Sequence, residues 1–436
     1  MLVSRAKVSK LCTGLTNQAE MHFPSTHSCR NQVLFVHSSH EYGGAEKHLA
    51  ELLCMFSGSG IDLSLLCLEE DFLSERLGGN KAVHVDIRCR KGLRSFWDWL
   101  QALRDFRPNA IVFVSAVLWN FPWYTPIVAW LAGIPRRFSI AHLPPPPMPP
   151  KVEGWSMSSL ARRLRRMRHL LGVRLSGSFY TATICVSKSI RDSLVANYGF
   201  PANKTFTIHN GVSPSRFNRC ESSRLAVRNK AGIRSGEFLL VCVARLAEQK
   251  GIDILLLAIA RLLRDGVRCK CIIVGDGPLR RQLSEHALAL GLSGRVFFEG
   301  FREDVRPYLQ AADAFVLTSH WEGLPIAILE AMASGLPCVV TAVGGNAEAV
   351  TNRVQGLVVH ASVDEVADAI SYLVTHPHEC AEMSRMARIR VCEAFDVQDR
   401  MTEIKRVILG ERLWYEPGAT VRHRVPEGHG VNSTHR

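Results

Sequence analysis

"FLLVCVARLAEQKGIDILLLAIARLLRDG" occupies residues 238–266. Its opening run, "FLLVCVA", is continuously apolar and short. That is how a strand buried on both faces reads, as in a parallel sheet. From Ile252 onward the pattern is that of a helix, closed by Gly266. Arg245 and Lys250 stand between the two elements. Strand, charged loop and helix in this order make one unit of an open α/β sheet, whose ligands bind beyond the carboxyl ends of the strands. Two cations in that place suit a pyrophosphate, although a solvated loop pair reads the same way.

The unit recurs on both sides. Downstream, "CKCIIVGDG" (269–277) is a strand and turn, and "PLRRQLSEHALALG" (278–291) is a helix with Pro at its start and Gly at its end. "VFFEG" (296–300), "AFVLTS" (314–319) and "PCVVTA" (337–342) are further strands. Upstream, strands are expected at "QVLFVHSS" (32–39), "DLSLLCL" (62–68), "AIVFVSA" (110–116), "RRFSIAH" (136–142), "TATICVS" (181–187) and "KTFTIHNG" (204–211). Helices intervene from about Ala45, over 93–106 and over 188–199. The polar stretch 213–236 separates two doubly wound α/β halves. We place one half at 32–212 and a second half at 213–394. A last helix follows at 395–412, with polar, aperiodic extensions at 1–31 and 413–436.

The chain has 436 residues, enough for two or three domains. Hydrophobic residues make up 47% and charged residues 21%, which fits folded domains and excludes a disordered chain. The net charge of +13 favours anionic partners without choosing among them. The 13 cysteines form no C-x-x-C pair and often sit in apolar runs, as reduced thiols filling a core do. Residues 1–31 lack the apolar centre of a secretory signal. Ala110 to Pro135 carries no charge, but Asn120, Pro122 and Pro126 interrupt it. It reads as strand, loop and helix instead of a membrane span.

"PPPPMPP" (144–150) opens a proline- and arginine-rich insert over 144–178. Within it Leu160, Leu164, Met167 and Leu171 fall on one helical stripe. From Lys151 to Arg174 there are seven Lys or Arg against one acid, Glu153. A solvated helix packing its leucines on the protein fits this pattern. So does a peripheral contact of 155–174 with an anionic membrane. Nucleic acid is not expected, because no aromatics are interleaved with the charges.

Two further motifs bear on chemistry. Gly43 and Gly44 follow the first strand and precede a helix, where free backbone N–H groups can meet an anion, although any tight turn also uses glycines. In "EGLPIAILEAMASGLP" (322–337), Pro325 reads as the first helical residue and Gly335 as the terminator. Glu330 is then an acid in an apolar helix, costly unless paired. On a continuous helix, Glu322 and Glu330 would be offset by about 80°, so both could face one crevice. A satisfied structural acid remains the alternative reading of Glu330.

Together "GGAE" (43–46), "HNGV" (209–212), "VARLAEQKGID" (243–253), "VGDGP" (274–278), "GFREDV" (300–305) and "SHWEGLPIAILEAMASGLPCVVTAVGGNAEAV" (319–350) resemble the retaining glycosyltransferases of glycosyltransferase family 4. The last stretch matches that family's E-x7-E signature, and the resemblance spans roughly residues 32–410. It implies the GT-B fold: two Rossmann-like domains facing across a cleft, with a C-terminal helix crossing back to the first. It implies transfer of a sugar from a nucleotide-sugar to a glycan or lipid-linked acceptor, in the assembly of cell-surface polysaccharide or glycolipid.

By resemblance, Arg245 and Lys250 hold the donor diphosphate, and Glu330 accepts from the ribose hydroxyls. Glu322 meets the donor sugar, with the N–H groups of Gly323 and Leu324 near the phosphates. Gly43 and Gly44 approach the phosphates from the first domain. His142 lies near the reacting carbon, and Phe301 and Arg302 lie near the base. Glu348 belongs to the motif as an architectural residue. No cofactor or metal is implied, and no paired-aspartate motif is present. The family's histidine is often followed by an acid, whereas here Leu143 and a proline run follow His142. The implied location is the cytoplasm, or peripherally the inner face of the cytoplasmic membrane. An epimerase or phosphorylase of the same fold, or a non-catalytic sugar-nucleotide binder, are the competing readings. The E-x7-E context, the lack of a pyridoxal-phosphate lysine motif and the intact Arg245, Lys250, Glu322 and Glu330 argue against them.

Overall fold

The computed structural model describes residues 32–38, 43–57, 61–67, 85–89, 95–115, 121–144, 167, 170–218 and 220–411. The extensions and most of the arginine-rich stripe, including Leu160 and Leu164, lie outside them.

Continuous apolar runs become two parallel sheets, each covered by helices on both faces. The first contains β1 (Gln32–His37), β2 (Asp62–Cys67), β3 (Val85–Cys89), β4 (Ala110–Ser115), β5 (Arg136–Ala141), β6 (Ala182–Cys185) and β7 (Thr205–Thr207), in the order β3-β2-β1-β4-β5-β6-β7. The second contains β8 (Phe238–Val243), β9 (Cys269–Val274), β10 (Val296–Gly300), β11 (Ala314–Leu317), β12 (Cys338–Thr341) and β13 (Gly356–Val359), in the order β10-β9-β8-β11-β12-β13. Strand order reverses between β1 and β4 and between β8 and β11. Each reversal opens a crevice at the carboxyl ends of the strands.

The charge-free segment resolves as β4, a loop and the short helix Thr125–Leu131. Among the described residues no helix is long and apolar enough to cross a membrane. Cys185, Cys242, Cys269, Cys271 and Cys338 are buried free thiols in strands, filling the core, and Cys67 is buried at the end of β2.

The last helix, Val397–Leu409, returns to the first half. Asp396 caps it by accepting from the Gln398 N–H at 2.8 Å. The Val397 N–H donates to the Val212 carbonyl at 3.0 Å, and Val212 donates to Phe395 at 2.9 Å. At its far end Arg136, on β5, donates to the Leu409 carbonyl at 2.8 Å.

Local expectations fail in four places. Pro325 is the residue before the helix, in extended conformation, and the helix is Ile326–Ala333. A proline fixes φ but leaves ψ free, so it serves either position. Pro278 likewise precedes its helix, which runs Arg280–Ala289. The strand expected over 204–211 pairs only over Thr205–Thr207, because the chain then leaves the sheet to meet the second half. On the helix through 170–179, Leu171 and Leu175 face solvent, as does Met167. The buried side is made by Gly172 and Val173, Ser176 and Gly177, set against Trp123 and Phe200.

Candidate active site

Two loops at the β8/β11 reversal supply the central charges. The loop after β8 carries Arg245, exposed, and ends in the short turn Glu248–Lys250. The loop after β11 carries Ser319 and Glu322. They are stitched together: the His320 N–H donates to the Gln249 carbonyl at 2.8 Å, and Thr318 Oγ1 donates to the Gly251 carbonyl at 2.7 Å. Gly251 is left-handed at φ 54°, and a Cβ there would meet the Thr318 carbonyl oxygen at 2.3 Å. Only glycine satisfies both demands. The stitching brings Lys250 Nζ to 2.5 Å from Glu322 Oε1. Ser319 Oγ donates to the same oxygen at 2.6 Å, and Gln249 Nε2 lies 3.4 Å from Oε2. A buried carboxylate is thus held by a cation and polar donors, as burial of charge requires.

Glu330 is buried on the helix Ile326–Ala333. Its partner comes from the other half of the molecule: Lys47 Nζ, on the helix Gly44–Phe56, pairs with Glu330 Oε1. So Glu322 and Glu330 take different cations. The starts of the two helices also meet, since a Cβ on Gly44 would lie 3.8 Å from Ile326 Cδ1. At the start of Gly44–Phe56 the Glu46 carboxylate reaches back and accepts from the Gly43 N–H at 2.8 Å, so that predicted phosphate contact is already taken, whereas the start of Ile326–Ala333 has no side-chain cap bond. The open start of Ile326–Ala333, with the loops that carry Arg245 and Lys250, makes an anion-binding geometry.

His142 follows β5. Its carbonyl oxygen is so close to Gly323 that a Cβ there would sit 1.8 Å from it. The first half therefore rests on the loop of the second, and Gly323 and Leu324 are buried by the contact. Asn210 Nδ2 donates to the Leu324 carbonyl at 2.7 Å. Glu348 completes the junction. Its carboxylate accepts from the Lys188 and Ser189 N–H groups at 2.8 and 2.9 Å, capping a first-half helix, and meets His209 Nε2 at 2.9 Å. Burial pushes the Glu348 carboxyl up, but these hydrogen bonds outweigh it and hold it below the usual range.

Behind His142 lies a histidine cluster. The His48 and His142 rings meet edge to face at 4.8 Å. His37 Nδ1 is 3.1 Å from the Val114 carbonyl, and its Nε2 is 3.5 Å from Glu46 Oε1. Burial lowers His48 to about 4. Burial, with His48 and His37 nearby, holds His142 well below the ordinary imidazole value. Both rings are neutral near pH 7. His142 Nε2 and both His48 nitrogens find no hydrogen-bond partner among the described residues. One turn further, burial pushes the Glu51 carboxyl up to about 7 against the pull of Lys47, with Glu330 adding to the rise.

Phe301 and Arg302 sit past β10, both exposed, and Arg302 Nη2 contacts Glu299 at 3.1 Å. The Gly275 N–H donates to the Gly300 carbonyl at 2.9 Å, tying this strand end to the loop after β9. Among the described residues no group of three or more His, Cys, Asp or Glu is placed to hold a metal ion.

Asn210, Gln249 and Ser319 lie inside the motifs quoted from the sequence but carry no role there, and Lys47 lies outside them. Lys47 directly follows the quoted "GGAE" (43–46), and a cation within a turn of a glycine-opened helix was the available signal. Glu348 is architectural, as its motif implied, but acts across the two halves.

Comparison with known families gives the class. Residues 42–216 match the family model described as Glycosyltransferase Family 4, and residues 223–390 match Glycosyl transferases group 1. The two halves are thus those of a glycosyltransferase of the group 1 and family 4 type, with the GT-B fold. Among individual relatives, the UDP-Gal:alpha-D-GlcNAc-diphosphoundecaprenol alpha-1,3-galactosyltransferase of Escherichia coli is 26% identical over 87% of this chain and 97% of its own length. An uncharacterized glycosyltransferase of Methanocaldococcus jannaschii is 33% identical over 41% of this chain, a match spanning 46% of that protein. The Anabaena HepE structure, in complex with UDP and glucose, superposes with a TM-score of 0.70 at 21% identity, covering 86% of this chain and 99% of that one.

Proposed function

We propose that this protein is a retaining, metal-independent glycosyltransferase that moves a sugar from a nucleotide-sugar to a lipid-linked or glycan acceptor in cell-surface polysaccharide or glycolipid assembly. The observation that carries the reading is the Lys250–Glu322 pair at the β8/β11 crevice, with Arg245 on the same loop as Lys250 and the uncapped start of Ile326–Ala333 following Glu322. Breaking a sugar–diphosphate bond leaves charge on the departing phosphate. Arg245, Lys250 and the N–H groups of Gly44, Gly323 and Leu324 stabilise it without a metal. Glu322 meets the sugar, Glu330 the ribose, and Phe301 and Arg302 the base. His142, neutral and with a buried nitrogen lacking a partner among the described residues, is suited to a neutral hydrogen bond to the donor sugar. In the retaining route the leaving phosphate takes the acceptor proton on the same face. No glycosidase-like carboxylate pair is then needed. The Escherichia coli relative, named for a UDP-sugar and a diphosphoundecaprenol acceptor, supports the substrate class.

Incubation with UDP-, GDP- and ADP-sugars and extracted lipid acceptors, with the product anomer read by NMR, tests this. A product with the donor's configuration is expected, and an inverted product contradicts retention.

The same reading places the enzyme peripherally on the cytoplasmic membrane. Met167, Leu171 and Leu175 face solvent on the arginine-rich insert, and Trp123 and Trp130, which pack on Gly172 and Phe179 of the same helix, are about half exposed. Apolar side chains flanked by arginines suit an anionic bilayer surface. Replacing Leu171 and Leu175 together by serine, at exposed sites, is expected to reduce sedimentation with phosphatidylglycerol vesicles. Unchanged sedimentation contradicts the contact.

A further inference from the structure

Glu330 is a buried acid of the second half, yet the cation beside it belongs to the first. The two residues are 283 positions apart in the chain. The Lys47 side chain is about one-third exposed and Glu330 only 7% exposed, so the pair sits at the edge of the cleft with the lysine on the open side. A carboxylate offers about four acceptor positions, of which one ammonium takes one or two. The remainder can accept hydroxyl groups while Lys47 stays in place. Burial pushes the Glu51 carboxyl, one turn beyond Lys47 on the same helix, up to about 7, so it is only about half ionised near pH 7 and competes less for the ammonium than an ordinary carboxylate would.

We propose that Lys47 is a positioning residue for the donor site. It fixes the Glu330 carboxylate from the facing half, so that recognition of the nucleotide's ribose is coupled to closure of the cleft. The proposal rests on the donor-site reading above and adds to it a residue that reaches the nucleotide through Glu330. Its logic is geometric. With Lys47 in place, Glu330 presents one fixed set of lone pairs to the ribose. Closure is favoured because it supplies the buried carboxylate with its cation. Without Lys47, Glu330 is left as a buried charge lacking that cation. It then reorients or takes up a proton, and both outcomes weaken acceptance from hydroxyl groups.

Calorimetric titration with UDP, GDP and ADP, and with the 2′-deoxy form of whichever binds, tests this on the parent, Lys47→Met, Lys47→Arg and Glu330→Gln proteins. The expected result is a loss of about tenfold in affinity for the ribonucleotide in Lys47→Met, in line with one charge-assisted contact. The loss should be smaller for the 2′-deoxy form, Lys47→Arg should restore most of it, and the double variant Lys47→Met/Glu330→Gln should lose little more than Glu330→Gln alone. In turnover, Lys47→Met is expected to raise the donor KM more than it lowers kcat. Circular dichroism melting checks that the variants fold. If no nucleotide binds the parent protein, the donor-site reading falls and this proposal with it. If Glu330→Gln loses affinity while Lys47→Met binds as the parent does, the donor-site reading stands and the proposal alone is overturned. Tighter binding by Lys47→Met also overturns it, since Lys47 would then be a competitor for Glu330.

Discussion

At the scale of single residues, two buried groups on the helix Gly44–Phe56 titrate in opposite senses. His48 is lowered from 6.5 to about 4, so the unfolded chain takes up its proton first as pH falls. The stability it contributes is present above pH 6.5 and is lost on acidification towards pH 4, an effect of about 3 kcal/mol. Glu51 is raised from 4.5 to about 7, so the folded protein holds a proton that the unfolded chain releases. Its contribution is present below pH 4.5 and is lost as pH rises to 7, by about 2 kcal/mol after allowing for partial solvent access. Between pH 4.5 and 6.5 the two trends oppose each other. Glu51→Gln is therefore predicted to melt higher than the parent at pH 7.5 and to match it near pH 4. A variant that melts lower at pH 7.5 would show that the charged form is the stabilising one. Neither shift was legible in the sequence, because each depends on which side of the helix the sheet covers.

Among elements, the strand and helix units were legible because parallel strands buried on both faces are written as uninterrupted apolar runs. The ends were less so. Pro325 fits both the first helical position and the one before it, and "KTFTIHNG" (204–211) is strand-like in composition but pairs over three residues. The arginine-rich insert is legible only in part. Its apolar stripe fits a face packed on the protein or one turned to a membrane; Met167 and Leu171 face solvent, and the buried side of 170–179 is made of small residues that let Trp123 and Phe200 approach. A stripe shows amphipathicity and does not say which partner takes the apolar side. Gly323 is the sharpest test of contacts between elements. A methyl group there meets the His142 carbonyl oxygen, which is backbone and cannot turn aside. Gly323→Ala is predicted to separate the two halves while each keeps its own core. Small-angle scattering should give a larger radius of gyration than the parent with helix content unchanged; identical scattering curves would contradict this.

For the whole molecule, the sequence carried the two sheets and the cation–carboxylate chemistry of the second half, but not the junction. Lys47–Glu330, Asn210–Leu324 and Glu348 with Lys188, Ser189 and His209 all join residues more than 100 positions apart. No local spacing encodes them. These directed polar contacts stand beside apolar ones that also cross the junction, Gly44 with Ile326 and Gly323 with Ile190, and junctions between domains that mix the two kinds are suited to opening and closing around a substrate. Glu348→Ala removes two bonds to a helix start and one to His209. It is predicted to cost about 1–2 kcal/mol in denaturant unfolding, and a midpoint unchanged from the parent would remove Glu348 from the junction. The action of Lys250 and the crevice at β8 and β11 on a nucleotide-sugar is read by nucleotide release from a panel of UDP-, GDP- and ADP-sugars. Release from at least one donor is expected with the parent protein and none above background with a folded Lys250→Ala variant; full activity in that variant would remove Lys250 from turnover.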